Sequence, residues 1–299
     1  MRGRIISAHE HLGYARLTFS NGTYAEYNAE LGELKKELSD LKNYLGSEKV
    51  ECIVYPQIPY KQYSALGEYE RLSSEMINHE FFNMLEGVSD VVWYPFIYLR
   101  VTDSYEINER IINKYADRAY GIKLHPDADL ANAEDVLQSG ILKLAEKYQK
   151  PITMHCSRPG MGLDLKEIRD KLMDRISCCD IRINLAHVGF LHKYIFEMKL
   201  PENIYFDVSP IGIVEDNLNY MGDKSGFFKD QMIDIFVKYG NRLMYGGDYP
   251  YNIQKWEDGS IHGRSRMEDL AVLMQLLDKT GVKVEDIFFN NISNLLQIK

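Results

Sequence analysis

The sequence lacks long hydrophobic runs, and no stretch of its 299 residues approaches the roughly 18 apolar residues that a membrane-spanning helix needs. The apolar run near the N-terminus ends at His9, too early for the apolar region of a signal peptide. The four cysteines include no C-x-x-C pair, and Cys178 and Cys179 are adjacent, so no disulfide framework is expected. These absences predict a cytoplasmic protein without a membrane partner.

Positive charge is also scarce. The formal net charge is −9, and the short basic stretches at Lys35-Lys36 and Arg264–Arg266 are flanked by acids. Phosphates would be repelled without a concentrated basic stripe, so we expect no nucleic-acid partner. No G-x-G-x-x-G or Walker-type glycine loop follows any apolar run, which removes the usual mark of a nucleotide-binding open sheet.

What is present is an ordinary globular composition with 45% hydrophobic residues, arranged as short apolar runs that alternate with helical segments. The leucine stripe at Leu31, Leu34, Leu38, Leu41 and Leu45 is typical of an outer helix facing a sheet. Eight strand–helix units predict one domain over residues 1–299, an α/β fold formed by a single (β/α)₈ TIM barrel with an additional C-terminal helix. A doubly wound open sheet is the structural alternative. The predicted strands are Arg4–His9, Val50–Pro56, Val91–Leu99, Tyr120–His125, Ile152–Cys156, Ile181–His187, Ile204–Ser209 and Leu243–Asp248.

The connections differ in length on the two sides of the predicted strands. Links from helix to strand are short, whereas links from strand to helix are long, at about 12–28, 57–69, 210–225 and 249–265. In a (β/α)₈ barrel the strand-to-helix loops gather at the carboxyl ends of the strands, where active sites are built. The loop lengths therefore predict a pocket on that side.

Polar residues at the strand ends point to the same side. His9 and His11 lie two apart, so in a regular strand their imidazoles share a face and can converge on one cation. Later strands end in Lys123-Leu124-His125, His155, His187 and Asp248. Imidazole and carboxylate ligands suit a Zn²⁺-like ion, so the pattern predicts a metal site at the barrel mouth.

The order H-x-H, Lys, His, His, Asp resembles that of the amidohydrolase superfamily. The pieces G-I-K-L-H-P, L-A-H-V-G and Y-G-G-D-Y-P are most similar to its branch of metal-dependent hydrolases and decarboxylases, which includes aminocarboxymuconate semialdehyde decarboxylase. The segment Ile287-Phe288-Phe289-Asn290-Asn291 before a final helix also resembles that branch. The resemblance spans nearly the whole chain.

The resemblance implies a set of roles for the strand-end residues. His9, His11, His155 and Asp248 would be the metal ligands; Asp248 would also be the catalytic base, and His187 would be catalytic by orienting or polarising the substrate. The sequence departs from the family at Ser7, where an Asp usually stands, so support around the ligands is in question rather than the ligands themselves.

Other residues have open roles. Lys123 is a substrate contact, a carbamylated bridge between two metals as in phosphotriesterase-like relatives, or a structural lysine. His125 and Arg158 are predicted substrate contacts, and Arg100 is a further candidate for clamping a carboxylate. Tyr249, Tyr251 and Trp256 are candidates for lining the pocket.

The resemblance implies a metal-dependent hydrolase of the amidohydrolase type. It would act on an amide, lactone or ester of a small, acidic molecule through a metal-activated water. The favoured cofactor is one Zn²⁺, with two ions as the alternative if Lys123 is carbamylated. A decarboxylase on the same site is the second hypothesis, and a catalytically silent metal-binding protein is the third. The expected partner is a small-molecule substrate, and homo-oligomerisation is left open.

Overall fold

A computed structural model describes residues 3–18, 24–60, 72–160, 162–191, 194–197, 199–220, 227–255 and 259–298. In this part of the chain one sheet has nine strands in the order β2-β1-β3-β4-β5-β6-β7-β8-β9, and β10 and β11 form a separate hairpin. The strands are β1 Arg4–Thr18, β2 Tyr24–Ala29, β3 Lys49–Pro56, β4 Val92–Tyr98, β5 Gly121–Leu124, β6 Ile152–Met154, β7 Ile183–Leu185, β8 Ile204–Asp207, β9 Leu243–Met244, β10 Ile253–Lys255 and β11 Ile261–Gly263.

Helices follow most of the strands and cover the outside of the sheet. They are α1 Leu31–Leu45, α2 Ser74–Met84, α3 Tyr105–Tyr115, α4 Pro126–Asp129, α5 Ala133–Gln138, α6 Ile141–Tyr148, α7 Leu165–Glu167, α8 Met173–Ser177, α9 Tyr194–Glu197, α10 Ile211–Tyr220, α11 Phe227–Tyr239, α12 Arg266–Thr280 and α13 Asn291–Leu296, with π-helical turns at Ile168–Leu172 and Asp286–Asn290. Within the described ranges, no helix is both long enough and apolar enough to cross a bilayer.

The predicted strand–helix alternation is present, and eight of the strands pair in parallel from β1 through β3 to β9. The leucine stripe of α1 also faces inward: Leu34, Leu38, Leu41 and Leu45 are buried. The result is a mixed α/β fold with a curled, mostly parallel sheet.

The first strand-to-helix connection differs from the expected loop. β1 continues to Thr18, and β2 returns antiparallel to it, from Gly13 opposite Ala29 to Thr18 opposite Tyr24. The alternation is visible in β2, where Ala25, Tyr27 and Ala29 are buried and the residues between them are exposed. A period of two is typical of a half-buried strand, so this segment of the predicted loop is a hairpin.

The segment that follows the last strand of the sheet, β9, is hydrogen-bonded to the first strand, β1. The Ala8 amide donates to the Tyr245 carbonyl at 2.7 Å, and the Asp248 amide donates to the His9 carbonyl at 2.7 Å. The His11 amide donates to the Tyr249 carbonyl at 3.0 Å. These bonds hold the segment after β9 beside the middle of β1, so residues far apart in sequence meet at one edge.

A bulge in β1 sets the direction of the two first histidines. Ser7 pairs with Cys52 and Glu10 with Val54, so three steps along β1 match two along β3. Up to Ala8 the inward positions are even-numbered, since Ile6 and Ala8 pack in the inner apolar cluster that also contains Tyr55. From His9 onward the inward positions are odd-numbered, and the His9 ring lies 4.8 Å from the Tyr55 ring. Bulges re-aim side chains in this way because one extra residue reverses the alternation.

Candidate metal centre

Three predicted ligands converge where the middle of β1 meets the segment after β9. His9, His11 and Asp248 are buried and each offers a ligand atom within 4.8 Å of the others. The Nε2 atoms of His9 and His11 lie 3.5 Å and 3.4 Å from the same oxygen, Oδ1 of Asp248. Two imidazoles and a carboxylate facing one point form a donor set suited to a Zn²⁺-like ion.

The far sides of both imidazoles are already bound to acceptors. His9 Nδ1 lies 3.0 Å from Oδ2 of Asp207, and His11 Nδ1 lies 3.3 Å from the Pro56 carbonyl oxygen. A carboxylate and a carbonyl accept hydrogen bonds, so each neutral imidazole carries its proton on Nδ1 and has its lone pair on Nε2. This tautomer is the one that a metal bound between the Nε2 atoms requires, so the residues fit a divalent ion.

Burial favours the neutral form of both ligands. Burial and the nearby Lys123 ammonium lower the pKa of His9 to about 3. The same two causes lower the pKa of His11 well below its ordinary value. At neutral pH both imidazoles therefore carry a lone pair on Nε2 without first losing a proton, and that of His9 accepts from the Lys123 ammonium.

Asp248 stands in a backbone conformation unusual for a residue with a side chain. Its φ is 53°, in the left-handed region, directly after Gly246 and Gly247. A Cβ on Gly246 would lie 2.4 Å from the His9 Cβ, so glycine permits the close approach of this segment to β1. Burial raises the pKa of Asp248, although the adjacent histidines and Lys123 oppose that shift.

His155 lies outside the group of three. Its Nδ1 is 3.1 Å from Nε2 of His187, and its Nε2 is 3.5 Å from Oδ2 of Asp127. The His155 ring also stacks on His125 at 3.9 Å between centroids. His125 Nδ1 accepts from the Ala128 amide, and His125 Nε2 lies 2.9 Å from the Tyr60 hydroxyl oxygen. His155 as a fourth ligand and His125 as a substrate contact stay predictions.

His187 connects the two groups of histidines. Its ring centroid lies 5.3 Å from that of His9 and 4.8 Å from that of His155. Its Nδ1 lies 2.5 Å from the Ser209 carbonyl oxygen, which places the proton of the neutral ring on Nδ1. The residue begins a left-handed turn, with φ between 49° and 60° from His187 to Leu191. Such a run includes a β-branched valine and is strained, a feature that clusters at functional sites.

Lys123 is a buried cation beside the three predicted ligands. Its Nζ lies 3.0 Å from His9 Nε2 and 4.5 Å from the centre of the Tyr55 ring. Burial lowers the pKa of Lys123 to about 8, so the ammonium form still predominates at neutral pH. The side chain thus places a positive charge against the ligand group, and its role as a substrate contact stays a prediction.

The remaining predicted residues lie on the surrounding loops. Arg158 is half-buried in the loop after β6, and Nη2 of Arg100 donates to the Leu72 carbonyl oxygen at 2.8 Å. The Tyr251 ring meets the His11 ring edge-on at 5.4 Å, whereas the Tyr249 hydroxyl donates to Glu33 on α1. Trp256 lies outside the described residues.

Several residues of the site were not predicted from the sequence. Asp207 at the end of β8 accepts from Asn184 Nδ2 at 2.7 Å as well as contacting His9. Its position at a strand end is a signal that could have identified it. Asp127 follows His125 by two residues and could have been found in the same way. The pairing of Glu10 with Arg266 has no such signal, because 256 positions separate them.

Comparison with known proteins identifies the class of fold. No family model matches this sequence, and no curated protein matches it. Solved structures do match, and these neighbours include a dihydroorotase and a protein described as a putative amidohydrolase, so this chain shares the fold of those proteins.

Three of these structural neighbours illustrate the range of similarity. A TIM-barrel protein from Bordetella bronchiseptica has a TM-score of 0.59 at 12% identity and covers 98% of this chain and 98% of its own. A dihydroorotase from Campylobacter jejuni has a TM-score of 0.58 at 16% identity and covers 99% of this chain and 83% of its own. A 5-carboxyvanillate decarboxylase from Novosphingobium aromaticivorans, complexed with manganese, has a TM-score of 0.50 at 12% identity and covers 98% and 96%. At these identities the likeness concerns the fold.

Proposed function

We propose that this protein is a metal-dependent hydrolase that cleaves an amide, lactone or ester in a small, acidic molecule. The observation that carries the proposal is the convergence of His9 Nε2 and His11 Nε2 on one oxygen of Asp248, at 3.5 Å and 3.4 Å. Asp207 and the Pro56 carbonyl hold both imidazoles in the ligand tautomer. We propose one Zn²⁺, with His155 as a further ligand.

A divalent ion bound here would act as a Lewis acid and lower the pKa of a water molecule toward about 7. Asp248 would accept a proton on its carboxylate and return it to the leaving group. Lys123, buried beside the ligands, would attract and orient the carboxylate of an acidic substrate. His187 holds its proton against Ser209, so its lone pair is on Nε2, where it now faces His155 Nδ1 at 3.1 Å. Once His155 turned to the metal, this Nε2 would orient substrate by accepting a hydrogen bond.

The sheet that supports this site is proposed to be a closed (β/α)₈ barrel. The hydrogen bonds from Ala8, His11 and Asp248 to the opposite segment support this proposal, as does the TIM-barrel protein among the structural neighbours. A cytoplasmic location also stays a proposal, compatible with the four free cysteines of this chain.

The first test combines a metal count with an Asp248→Asn variant. We expect one Zn²⁺ per chain by mass spectrometry, and a fall of about 10²–10⁴-fold in kcat/KM after the substitution, because the amide cannot accept the proton. The matched control is Asp170→Asn, an exposed carboxylate paired with Arg169, which should leave kcat/KM unchanged. Full activity of Asp248→Asn would remove the assigned base.

A decarboxylase on the same site is the second candidate, favoured by the buried Lys123 charge and by the decarboxylase among the structural neighbours. Here the C–C bond to the carboxylate would break, its electron pair would stay on the substrate carbon, and Asp248 would protonate that carbon. Release of carbon dioxide from a panel of carboxylated substrates, without hydrolysis of the amide, lactone and ester panel, would favour this reaction. Turnover on either panel would exclude the third hypothesis, a silent metal-binding protein.

A further inference from the structure

Glu10 lies between the two first histidines in sequence but points to the other side of β1. Its carboxylate pairs with the guanidinium of Arg266, the first residue of α12, through Nη1–Oε1 at 2.7 Å and Nη2–Oε2 at 2.8 Å. The Glu10 side chain is 0% exposed and that of Arg266 is 3% exposed. A bidentate pair of this kind fixes both the distance and the orientation of the two groups.

The same carboxylate also binds the backbone on both sides of Asp248. The Gly247 amide donates to Oε1 at 3.2 Å, and the Tyr249 amide donates to Oε2 at 3.1 Å. One side chain therefore ties the strand that bears His9 and His11 to the segment that bears Asp248.

That segment needs such support because its backbone conformation is costly. In the left-handed region the Cβ of a non-glycine residue comes too close to the following carbonyl oxygen, and Asp248 has a φ of 53°. Hydrogen bonds from the amides immediately before and after it to the Glu10 carboxylate hold the conformation in place. Without them the carboxylate of Asp248 could turn away from the two imidazoles.

Arg266 is itself held in place by a second acidic residue and by the space that a glycine leaves. Its Nε donates to Glu37 on α1 at 2.9 Å. A Cβ on Gly247 would lie 2.5 Å from the guanidinium carbon, so glycine at this position leaves room for the pair. Ser7, which departs from the family pattern, donates to Glu10 Oε1 at 2.5 Å, a bond that an ionised Asp at this position could not supply.

Resting on the proposed metal centre, we infer that Glu10 and Arg266 are positioning residues, which set the carboxylate of Asp248 against the imidazoles of His9 and His11. Neither residue touches the metal or the substrate. Their effect is transmitted through the amides of Gly247 and Tyr249.

The experiment compares Glu10→Gln and Arg266→Lys with Glu51→Gln. Glu51 is a matched control, because it is also a buried carboxylate bound by two nitrogens of an arginine, Arg4, at the opposite end of β1. Zn²⁺ affinity is measured by competition with a chelator. Hydrogen exchange of a peptide spanning residues 243–252 is measured on the metal-free proteins.

We expect Glu10→Gln to weaken Zn²⁺ binding by about 10–100-fold, the usual effect of losing a partner that orients ligands. Exchange of the 243–252 peptide should increase in the same variant. Arg266→Lys keeps the charge but offers a single donor group, so it should give intermediate values and serves as the test variant if Glu10→Gln does not fold. Glu51→Gln should lower stability without changing either measurement.

Unchanged exchange of the 243–252 peptide in a folded Glu10→Gln protein would overturn the inference, and so would unchanged Zn²⁺ affinity. An equal change in Glu51→Gln would also overturn it, because the effect would then be general destabilisation. If the unmodified protein binds no metal, the proposed function fails. Faster exchange in Glu10→Gln alone would then still support the role of Glu10 in holding Asp248.

Discussion

At the scale of single residues, the site depends on side chains that accept hydrogen bonds behind the ligands. Asp207 holds His9 by Nδ1, and it accepts from Asn184 and from Ser209 as well. A carboxylate with several donors is fixed in direction, so it orients the imidazole that it binds. Partners of this kind raise the basicity of a histidine ligand.

Asp207→Asn should therefore weaken metal binding. The amide can still contact His9, but it lacks the negative charge that favours the Nδ1 proton. If the amide rotated, its NH₂ group would face Asn184 and Ser209, which both donate to Asp207. We expect a loss of about tenfold or more in Zn²⁺ affinity, measured by competition with a chelator. Binding as tight as in the unmodified protein would show that Asp207 does not orient His9.

The sequence predicts that His9, His11 and Asp248 lie close together, because the strands of an α/β fold end at one edge of the sheet. The structure brings these three side chains together. The sequence does not predict their supporting partners. Glu10 and Arg266 are charged residues with no pattern in common, and the fold alone brings them into contact. The placement of His155 toward Asp127 also depends on side-chain directions that strand periodicity does not specify.

At the scale of elements, the contact between β1 and the segment after β9 is unusually close. A Cβ added to Gly246 would lie 2.4 Å from the His9 Cβ and 2.9 Å from the His9 backbone nitrogen. Backbone atoms cannot move aside as a flexible side chain can. The glycine pair of the Y-G-G-D-Y-P motif is therefore a packing requirement.

Gly246→Ala should push β1 and the Asp248 segment apart. We expect a loss of about 1–3 kcal/mol in the free energy of unfolding, the usual cost of overpacking, together with weaker Zn²⁺ binding. Urea unfolding measures the first and chelator competition the second. Gly32→Ala is the control: in helix α1 a Cβ at this position meets nothing within 4 Å, so this change should leave stability equal or higher. Equal effects of the two substitutions would contradict this account of the motif.

The strand–helix alternation was predicted from periodicity, and the structure has it. The length of the connection alone predicts a loop where β1 and β2 form a hairpin, and only the period of two at Ala25, Tyr27 and Ala29 indicates the strand. The bulge at Ser7–Glu10 has no signature in the sequence, since it arises from the match between two strands rather than from either one.

At the scale of the whole molecule, a second ionic cluster lies at the amino-terminal end of β1. The buried carboxylate of Glu51 accepts from Arg4 at 2.7 Å and 2.8 Å, from Tyr94 at 2.5 Å, and pairs with Lys49 at 3.0 Å. Burial alone would raise the pKa of Glu51. The hydrogen bonds from these groups outweigh burial and hold the pKa below its ordinary value.

A carboxyl group whose pKa is lowered by folding stabilises the folded state when it is ionised. The contribution of Glu51 should therefore be fully present above about pH 5 and lost as the pH falls through its lowered pKa. Glu51→Gln should cost roughly 1–3 kcal/mol at pH 7, measured by urea unfolding, and the difference from the unmodified protein should shrink toward pH 3. A constant difference across that range would show that the loss is one of packing and not of charge.

The bulge in β1 changes which residues of the strand face inward, from even-numbered before it to odd-numbered after it. Removing Ala8 would leave Ser7, His9, Glu10 and His11 to pair in turn with Cys52, Ile53, Val54 and Tyr55. Plain alternation would then direct both imidazoles inward without a bulge, so this deletion could spare the ion site. Removing Glu10 instead would make the two histidines neighbours, which alternation places on opposite faces of the strand. Relatives of different length here must therefore be aligned by side-chain direction before their histidines are equated.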